Sequence, residues 1–153
     1  MSAQLDTLPR FRRMLPGDLA VVETIERAVY AHPWTQGNFT DSLAAGYHCW
    51  IMECGGMITG YCVMMAAAGE AHLLNLSVAA DWQRRGLGSG LLRFILKLAQ
   101  NDSAQTIFLE VRASNTAGRA LYARHGFSEI GSRRGYYPVG AEREDAVTME
   151  KKL

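Results

Sequence analysis

The stretch Leu73-Leu-Asn-Leu-Ser-Val78, followed by Gln83-Arg-Arg-Gly86-Leu-Gly88-Ser-Gly90, decides the fold. Its first part is an apolar run typical of a central strand, and after Gly86 apolar residues recur at helical spacing as far as Leu98. The pattern predicts a strand that leads through a glycine-containing turn into a helix. Backbone N–H groups from about Arg85 to Gly90 should point outward at the positive end of the helix dipole. We therefore expect an anion site at this turn.

The residues of the turn limit which anion it can bind. Gly86 and Gly88 would let a phosphate approach without a Cβ in the way, and Arg84 and Arg85 add positive charge. A Walker loop is excluded because the chain contains no Gly-Lys-Ser or Gly-Lys-Thr. A dinucleotide fingerprint fails because no third small residue stands at the required place after Gly88. Two readings remain, a pyrophosphate site and a glycine-rich helix start that binds nothing.

The sequence before Leu73 predicts a strand, two helices and a hairpin. Residues 9–15 are strand-like, Asp18 is a good N-cap for a first helix, and a short second helix opens near Trp34-Thr35 and stops at Gly46. Apolar runs over 47–53 and 57–67 flank Gly55-Gly56, a hairpin signal because paired glycines tolerate positive φ. The apolar faces expected for the two helices comprise Leu19, Val22, Ile25 and Val29, then Phe39 and Leu43.

The sequence after the glycine turn predicts three more strands and one more helix. Residues 106–111 are apolar or β-branched except for Glu110, as expected of a strand buried on both faces. Ser114 or Asn115 can cap a helix over 116–125, and closing strands over 127–137 and 145–151 flank a loop over 138–143. The order β-α-α-β-β-β-α-β-α-β-β predicts an α/β fold, a mixed sheet of about seven strands flanked by about four helices.

Composition predicts a single domain over residues 1–153 that is soluble and cytoplasmic. The net charge of +1 argues against direct nucleic-acid binding through a uniform basic field. No apolar run approaches the ~20 residues needed to span a membrane, and residues 1–6 lack the order of a secretory signal. Cys49, Cys54 and Cys62 lie in strand-like runs, so buried thiols are expected. Neither they nor the four scattered histidines have metal-ligand spacing, and we expect no metal.

Two motifs resemble the GNAT superfamily of N-acetyltransferases. Gln83-x-x-Gly86-x-Gly88 looks like its acyl-CoA pyrophosphate loop, and Asn115-x4-Ala120-Leu121-Tyr122-x3-Gly126-Phe127 looks like its later motif. The resemblance implies the GNAT fold, with a sheet that opens between the strands over 73–78 and 106–111 and binds acetyl-CoA there. It assigns the backbone of Leu76, Ser77 and Val78 to the pantetheine amides. The turn that it assigns to the pyrophosphate comprises Arg84, Arg85, Gly86, Leu87, Gly88 and Ser89.

Further segments resemble one branch of that superfamily, the bacterial enzymes that acetylate the N-terminal alanine of a ribosomal small-subunit protein. These segments are His32-Pro-Trp-Thr35, Leu109-Glu-Val-Arg-Ala-Ser-Asn115, Arg134-Gly-Tyr-Tyr-Pro138 and Arg143-Glu-Asp-Ala146. The resemblance implies that Glu110 is the general base, Tyr122 the general acid and Asn115 an acetyl-CoA ligand. It also implies small-subunit protein eighteen as the partner.

The chemistry of amine acetylation is consistent with those two roles. The reaction needs a base for the amine and a proton for the departing thiolate, which a phenol of pKa near 10 can give to a thiolate near 8.5 only slightly uphill. A backbone N–H near Val78 would polarise the thioester carbonyl. The alternatives are an ion pair between Glu110 and Arg112, and a Tyr122 that only packs.

Aromatic residues beside prolines and glycines are candidates for the acceptor side. Trp34, Tyr136 and Tyr137 could line a peptide groove, although ordinary packing is the alternative for each. Two other functions remain open from the sequence. One is acetylation of a small amine such as a polyamine or an aminoglycoside, and the other is a sensor that binds acyl-CoA without catalysis.

Overall fold

The computed structural model describes residues 8–153, so the N-terminal stretch weighed above for a targeting signal lies outside the described residues. This part of the chain forms the seven strands and four α-helices that the sequence predicts. The strands are β1 (Arg10–Arg13), β2 (His48–Cys54), β3 (Met57–Ala67), β4 (Glu70–Val78), β5 (Thr106–Arg112), β6 (Ser128–Val139) and β7 (Glu142–Lys152). The helices are α1 (Leu19–Val29), α2 (Gln36–Ala44), α3 (Leu87–Asn101) and α4 (Thr116–Arg124).

The strands form one mixed sheet in the order β1-β2-β3-β4-β5-β7-β6. Four neighbouring pairs, β1–β2, β2–β3, β5–β7 and β6–β7, are antiparallel, while β4 and β5 are parallel. The pairing of β4 with β5 covers Glu70–Leu73 and Thr106–Leu109. The mixed sheet predicted from the order of elements is therefore confirmed, and the opening predicted farther along these two strands stays a prediction.

The chain divides into two compact units. One comprises the described residues up to Met65 together with Asn75–Ile95, and the other comprises Ala66–Leu74 with Leu96–Leu153. The boundary passes through β3, β4 and α3. The expectation of a single domain over 1–153 stays a prediction.

The first unit has a core between α1, α2 and strands β2 and β3. Val22, Phe39, Ile51, Tyr61 and Val63 are each fully buried there. The predicted apolar face of α1 is confirmed for the buried Leu19 and Val22 and for Ile25, which packs half-buried against the core, while Val29 is half-buried. The buried Glu26 on this helix was not predicted.

Two local predictions in the first unit have different outcomes. Asp18 stands at the N-cap position of α1, as predicted, but its side chain makes no capping bond, because the carboxylate binds Arg12 through two bonds of 2.8 and 2.9 Å. The hairpin between β2 and β3 is confirmed, and its two glycines, Gly55 and Gly56, have φ of +58° and +78°. The three cysteines are free and buried, as expected.

The second unit contains the C-terminal strands and α4. In β5 the side chains alternate, so Ile107, Leu109 and Val111 are buried while Glu110 and Arg112 are half-buried. The prediction of burial on both faces was therefore wrong for one face. The predicted loop over 138–143 is also shorter, because β6 and β7 extend to Val139 and Glu142 and leave a turn at Gly140-Ala141. Asn115 caps α4, its Oδ1 accepting from Gly118 N–H at 2.9 Å.

Candidate active site

The candidate residues fall into two groups, one in each unit. The first unit holds Trp34, the end of β4 and the glycine turn before α3. The second unit holds Glu110, Asn115, Tyr122 and the β6–β7 hairpin with Tyr136 and Tyr137.

The turn between β4 and α3 has the backbone expected of an anion site. A short 3₁₀ turn (Ala80–Trp82) follows β4, and the chain then reaches Gly86, whose φ is +78°. A residue with a Cβ rarely adopts this left-handed conformation, and no atom lies within 4 Å of the position that a Cβ would take. The space beside Gly86 is open, and binding of the acyl-CoA pyrophosphate at this turn stays a prediction.

The first turn of α3 corrects one detail of that prediction. Gly90 N–H donates to Gly86 C=O at 3.2 Å, so the set of outward-pointing N–H groups ends before Gly90. Leu87, Gly88 and Ser89 form the first turn, where N–H groups point out of the helix end. Arg84 and Arg85 are exposed beside them, and the Arg85 guanidinium lies 4.9 Å from the centre of the Trp82 ring. Positive charge therefore flanks the turn.

The end of β4 is fixed through its carbonyl groups. Gln83 Nε2 donates to Val78 C=O at 2.9 Å, and the Tyr30 hydroxyl donates to Leu76 C=O at 3.2 Å. Gln83 thus closes the turn onto the strand, which gives the glutamine of the Gln-x-x-Gly-x-Gly motif a structural role. A carbonyl oxygen has two lone pairs, so each group can still accept a bond from a ligand.

Close backbone approach also shapes this end of β4. A Cβ on Gly60 in β3 would stand 2.7 Å from Ser77 C=O and 2.8 Å from Met52 Cε. Only glycine fits there without moving the carbonyl of Ser77. Gly60 carries no signal in the sequence, because nothing in its neighbourhood distinguishes it from a glycine that merely weakens a strand.

Trp34 lies just before α2 and is half-buried. Its ring packs against Phe39 with centroids 5.0 Å apart, and its backbone N–H donates to Glu26 Oε2 at 2.9 Å. Packing is therefore part of the role of Trp34, in agreement with the alternative stated for it. Its contact with an acceptor stays a prediction.

Glu110 in β5 has a side chain that is 26% exposed. Its Oε1 lies 3.3 Å from Arg133 Nη2, while its Oε2 is buried and has no hydrogen-bond partner within residues 8–153. The ion pair between Glu110 and Arg112, which was the alternative prediction, is not formed. Arg112 instead pairs with Glu144 at 3.2 Å. An unsatisfied buried carboxylate oxygen is costly, so Glu110 lacks the full set of partners that a purely structural ion pair would give it.

The β6–β7 hairpin carries the aromatic pair in an irregular segment. Arg133 is opposite Ala146 and Tyr137 is opposite Glu144, so three residues of β6 face Asp145 alone. Asp145 Oδ1 accepts from Gly135 N–H at 2.9 Å, and the Arg143 guanidinium donates to the carbonyls of Gly135 and Tyr136. This bulge leaves the Tyr136 side chain exposed.

Tyr136 and Tyr137 are held by two arginines. The Arg133 guanidinium lies 5.3 Å from the Tyr136 ring centre, and that of Arg112 lies 4.4 Å from the Tyr137 ring centre. Burial, with the negative charge of Glu110 adding to it, raises the pKa of Tyr137 to about 12. Tyr137 is therefore a neutral phenol at physiological pH.

Tyr122 and Asn115 lie on α4 and before it. The half-buried Tyr122 ring packs edge-on against Phe127, with centroids 5.6 Å apart. The side-chain carbonyl oxygen of Asn115 accepts the hydrogen bond that caps α4. The acid role of Tyr122 and the acetyl-CoA contact of Asn115 stay predictions.

Sequence reasoning missed several residues that the structure places at these two regions. Glu26, Arg133 and Arg143 each make bonds to a candidate residue or its backbone. Glu26 could have been found, since a carboxylate at i+4 from Val22 and i+7 from Leu19 interrupts an apolar helix face. Arg133 and Arg143 gave no such signal, because the contact of Arg133 depends on the order of the strands and those of Arg143 on the bulge in β6.

Over residues 8–153 no group of three or more His, Cys, Asp or Glu side chains is placed to hold a metal ion. No helix in the same range is long and apolar enough to cross a membrane.

Comparison with known proteins identifies the family. The profile of the acetyltransferase (GNAT) family matches residues 19–127. The chain therefore belongs to the GNAT family, whose members use acetyl-CoA, and it is an N-acetyltransferase. The predicted fold class is confirmed.

Similar proteins point to one branch of the family. The [ribosomal protein bS18]-alanine N-acetyltransferase of Escherichia coli K12 is 36% identical over 132 residues, which cover 86% of this chain and 89% of that protein. A putative enzyme of the same description from Bacillus subtilis is 29% identical, over 95% and 96% of the two chains. The crystal structure of the Escherichia coli enzyme matches with a TM-score of 0.89 at 33% identity, covering 95% and 94%.

Proposed function

We propose that this chain transfers the acetyl group of acetyl-CoA to the N-terminal α-amine of a protein. The acceptor residue is alanine, and the acceptor protein is ribosomal small-subunit protein eighteen in the cytoplasm. This acceptor is supported by the names of the similar proteins from Escherichia coli and Bacillus subtilis. Both proteins align with this chain over most of its length.

The observation that carries the proposal is the state of Glu110. One of its oxygens is engaged by Arg133, and the other is buried without a donor. The Glu110 carboxylate is the group to which we assign the proton of the incoming amine, received directly or through water. Removing a proton from an α-amine, with a pKa near 7.7–8.0, is easier than from lysine near 10.4 by about 3.5 kcal/mol. A carboxylate base thus suits an N-terminal amine better than a lysine.

The remaining steps follow from the balance of the reaction. The amine nitrogen forms a bond to the thioester carbonyl carbon, and the C–S bond breaks with its electron pair on sulfur. Glu110 takes the first proton from the ammonium group before the attack, and Tyr122 donates its phenolic proton to the departing sulfur. The second proton leaves nitrogen as the amide forms and passes, directly or through water, to the Tyr122 phenolate, while Glu110 returns its proton to solvent. A backbone N–H near Val78 stabilises the negative charge on the carbonyl oxygen, an interaction worth roughly 3 kcal/mol in oxyanion holes.

The acetyl-CoA side of the proposal rests on the first unit. The open left-handed Gly86, flanked by Arg84 and Arg85, supports pyrophosphate binding at the first turn of α3. The backbone of Leu76, Ser77 and Val78 is assigned to the pantetheine amides. We assign three aromatic residues, Trp34, Tyr136 and Tyr137, to the binding of the acceptor. A hydrogen bond holds the backbone of Trp34 in place, and the bulge in β6 holds that of the two tyrosines.

The test is a comparison of acceptors under one set of conditions. A peptide that copies the start of ribosomal small-subunit protein eighteen, with a free N-terminal alanine, is expected to be acetylated with a higher kcat/KM than the same peptide with a blocked N-terminus and a free lysine. Mass spectrometry of the product locates the acetyl group. Spermidine and an aminoglycoside serve as small-amine acceptors.

Each alternative has its own outcome in that test. Faster turnover of either small amine than of the free-N-terminus peptide would contradict protein acetylation while leaving the family intact. Binding of acetyl-CoA without turnover of any acceptor would favour the sensor.

A further inference from the structure

Glu26 is a buried carboxylate on the apolar face of α1. It is 2% exposed, and its neighbours on that face, Leu19 and Val22, belong to the core. A charge in such a position lowers stability unless hydrogen bonds replace the lost water. Apolar packing alone does not account for a glutamate here.

Three neutral groups donate to the two oxygens of Glu26. Oε1 accepts from the Tyr61 hydroxyl at 2.8 Å and from Asn75 Nδ2 at 3.1 Å. Oε2 accepts from the backbone N–H of Trp34 at 2.9 Å. Each oxygen of this buried carboxylate therefore has at least one donor.

The bond to Trp34 reaches the segment between α1 and α2. Trp34 precedes Thr35, the N-cap of α2, whose own N–H donates to Asn38 Oδ1 at 2.9 Å. Two successive backbone N–H groups are thus fixed by side chains, one from each helix. The direction in which the Trp34 ring leaves the backbone depends on both bonds.

The bond to Asn75 connects Glu26 with the end of β4. Ser77 Oγ donates to Asn75 Oδ1 at 2.7 Å and lies 2.9 Å from the Tyr30 hydroxyl, which donates to Leu76 C=O. Burial, foremost, raises the pKa of Tyr30, so this hydroxyl remains a donor at physiological pH. One continuous network therefore runs from the Trp34 backbone to the strand end assigned to acetyl-CoA.

We propose that Glu26 is a positioning residue for the acceptor. It holds the backbone of Trp34 at a fixed position relative to the end of β4, and this position of Trp34 aligns the acceptor. The proposal rests on the proposed function, since it takes Trp34 to contact the acceptor. Glu26 itself touches neither substrate. Its removal is expected to raise the KM for the acceptor peptide and to leave acetyl-CoA binding unchanged.

Three variants separate positioning from general stability. Glu26→Met removes all three hydrogen bonds that Glu26 accepts and has a side chain of similar volume. Glu26→Gln keeps one oxygen that can accept the hydrogen bond from Trp34 N–H. Tyr61→Phe removes a different hydrogen bond to the same carboxylate. We expect Glu26→Met to raise the peptide KM by about tenfold or more, with kcat and the acetyl-CoA Kd changed by less than about threefold. Glu26→Gln is expected to raise the peptide KM by about threefold, and Tyr61→Phe is expected to raise it by less than about twofold.

Hydrogen exchange of the Trp34 amide provides a readout that needs no acceptor. Its protection should be lost in Glu26→Met, weakened in Glu26→Gln and kept in Tyr61→Phe. A folded Glu26→Met with an unchanged peptide KM would overturn the proposal, as would an equal loss of acetyl-CoA affinity. If Glu26→Met does not fold, Glu26→Gln decides in the same way. Wild-type enzyme that fails to acetylate the peptide contradicts the proposed function, whereas turnover of the peptide with unchanged KM in the variants contradicts only this inference.

Discussion

The glycine turn with the end of β4 and the Glu110 region with the β6–β7 hairpin are built in different ways. The first consists of backbone, an open left-handed Gly86 and a buried network whose polar groups are satisfied. The second consists of half-exposed side chains that arginines hold, and Glu110 within it keeps one oxygen unsatisfied. Function in the first region should therefore depend on φ angles and the absence of a Cβ. Function in the second should depend on charge.

The largest effect is expected on acetyl-CoA binding when Gly86 in the first region is replaced. Gly86→Glu places a carboxylate and a Cβ where a pyrophosphate needs bare N–H groups, and should weaken acetyl-CoA binding beyond detection by calorimetry, by at least about 100-fold. Gly56→Glu is the matched control, because Gly56 has the same φ of +78° and the same open surroundings but lies in the β2–β3 turn. Unchanged affinity in a folded Gly86→Glu would remove the pyrophosphate assignment.

A loss of charge or of a proton donor in the second region should affect turnover rather than binding. Glu110→Gln and Tyr122→Phe should each lower kcat by about 10²–10⁴, the usual range for a general base or acid, with acetyl-CoA affinity within a few-fold of wild type. Steady-state kinetics and calorimetry measure the two quantities. Glu53→Gln is the control for the first variant, because the side chain of Glu53 is also 26% exposed and also paired with an arginine. Near-full turnover by both variants would mean that Glu110 only forms an ion pair and that Tyr122 only packs.

The bulge in β6 offers a smaller and more selective change. Arg143→Gln removes donors to the carbonyls of Gly135 and Tyr136, so we expect the peptide KM to rise by about three- to tenfold while the acetyl-CoA Kd stays constant. Arg124→Gln, an exposed arginine on α4, controls for the loss of one positive charge. A KM unchanged by Arg143→Gln would show that the hairpin does not position the acceptor.

The smallest effect concerns stability and its dependence on pH. Arg12, foremost through its hydrogen bonds, lowers the pKa of Asp18 in the folded protein. The carboxylate therefore stabilises the fold above its unfolded pKa near 3.9, and this contribution is lost as the pH falls through the folded value. Asp18→Asn should lower the free energy of unfolding by about 1 kcal/mol at pH 7 and by less at pH 3.

Urea denaturation at both pH values measures that effect, with Asp41→Asn, an exposed carboxylate of α2, as the control. A penalty for Asp18→Asn that is equal at the two pH values would contradict the role of its charge.

The first region was largely predictable from sequence because its determinants are neighbours in the chain. Strand, turn and helix follow one another, and Asn115 as a cap of α4 was found for the same reason. Asp18 was correctly placed at the N-cap position of α1, but the loss of its capping bond to Arg12, which lies in β1, was not predicted.

The rest could not be predicted because it depends on register. The contact between Arg133 and Glu110 requires β7 to lie between their strands, and the exposure of Tyr136 requires three residues of β6 to oppose one of β7. The partners of Glu26 come from β3, β4 and the segment before α2. No spacing rule in a single sequence joins positions so far apart.

The three buried cysteines have a practical consequence for assays. Acetyl transfer releases coenzyme A with a free thiol, which disulfide reagents detect through its thiolate. Cys49, Cys54 and Cys62 are each at most 4% exposed, and burial raises the pKa of Cys49 to about 11 and that of Cys62 as well. At pH 8 the native protein should therefore contribute almost no background colour, so continuous thiol detection can follow turnover even at high enzyme concentration.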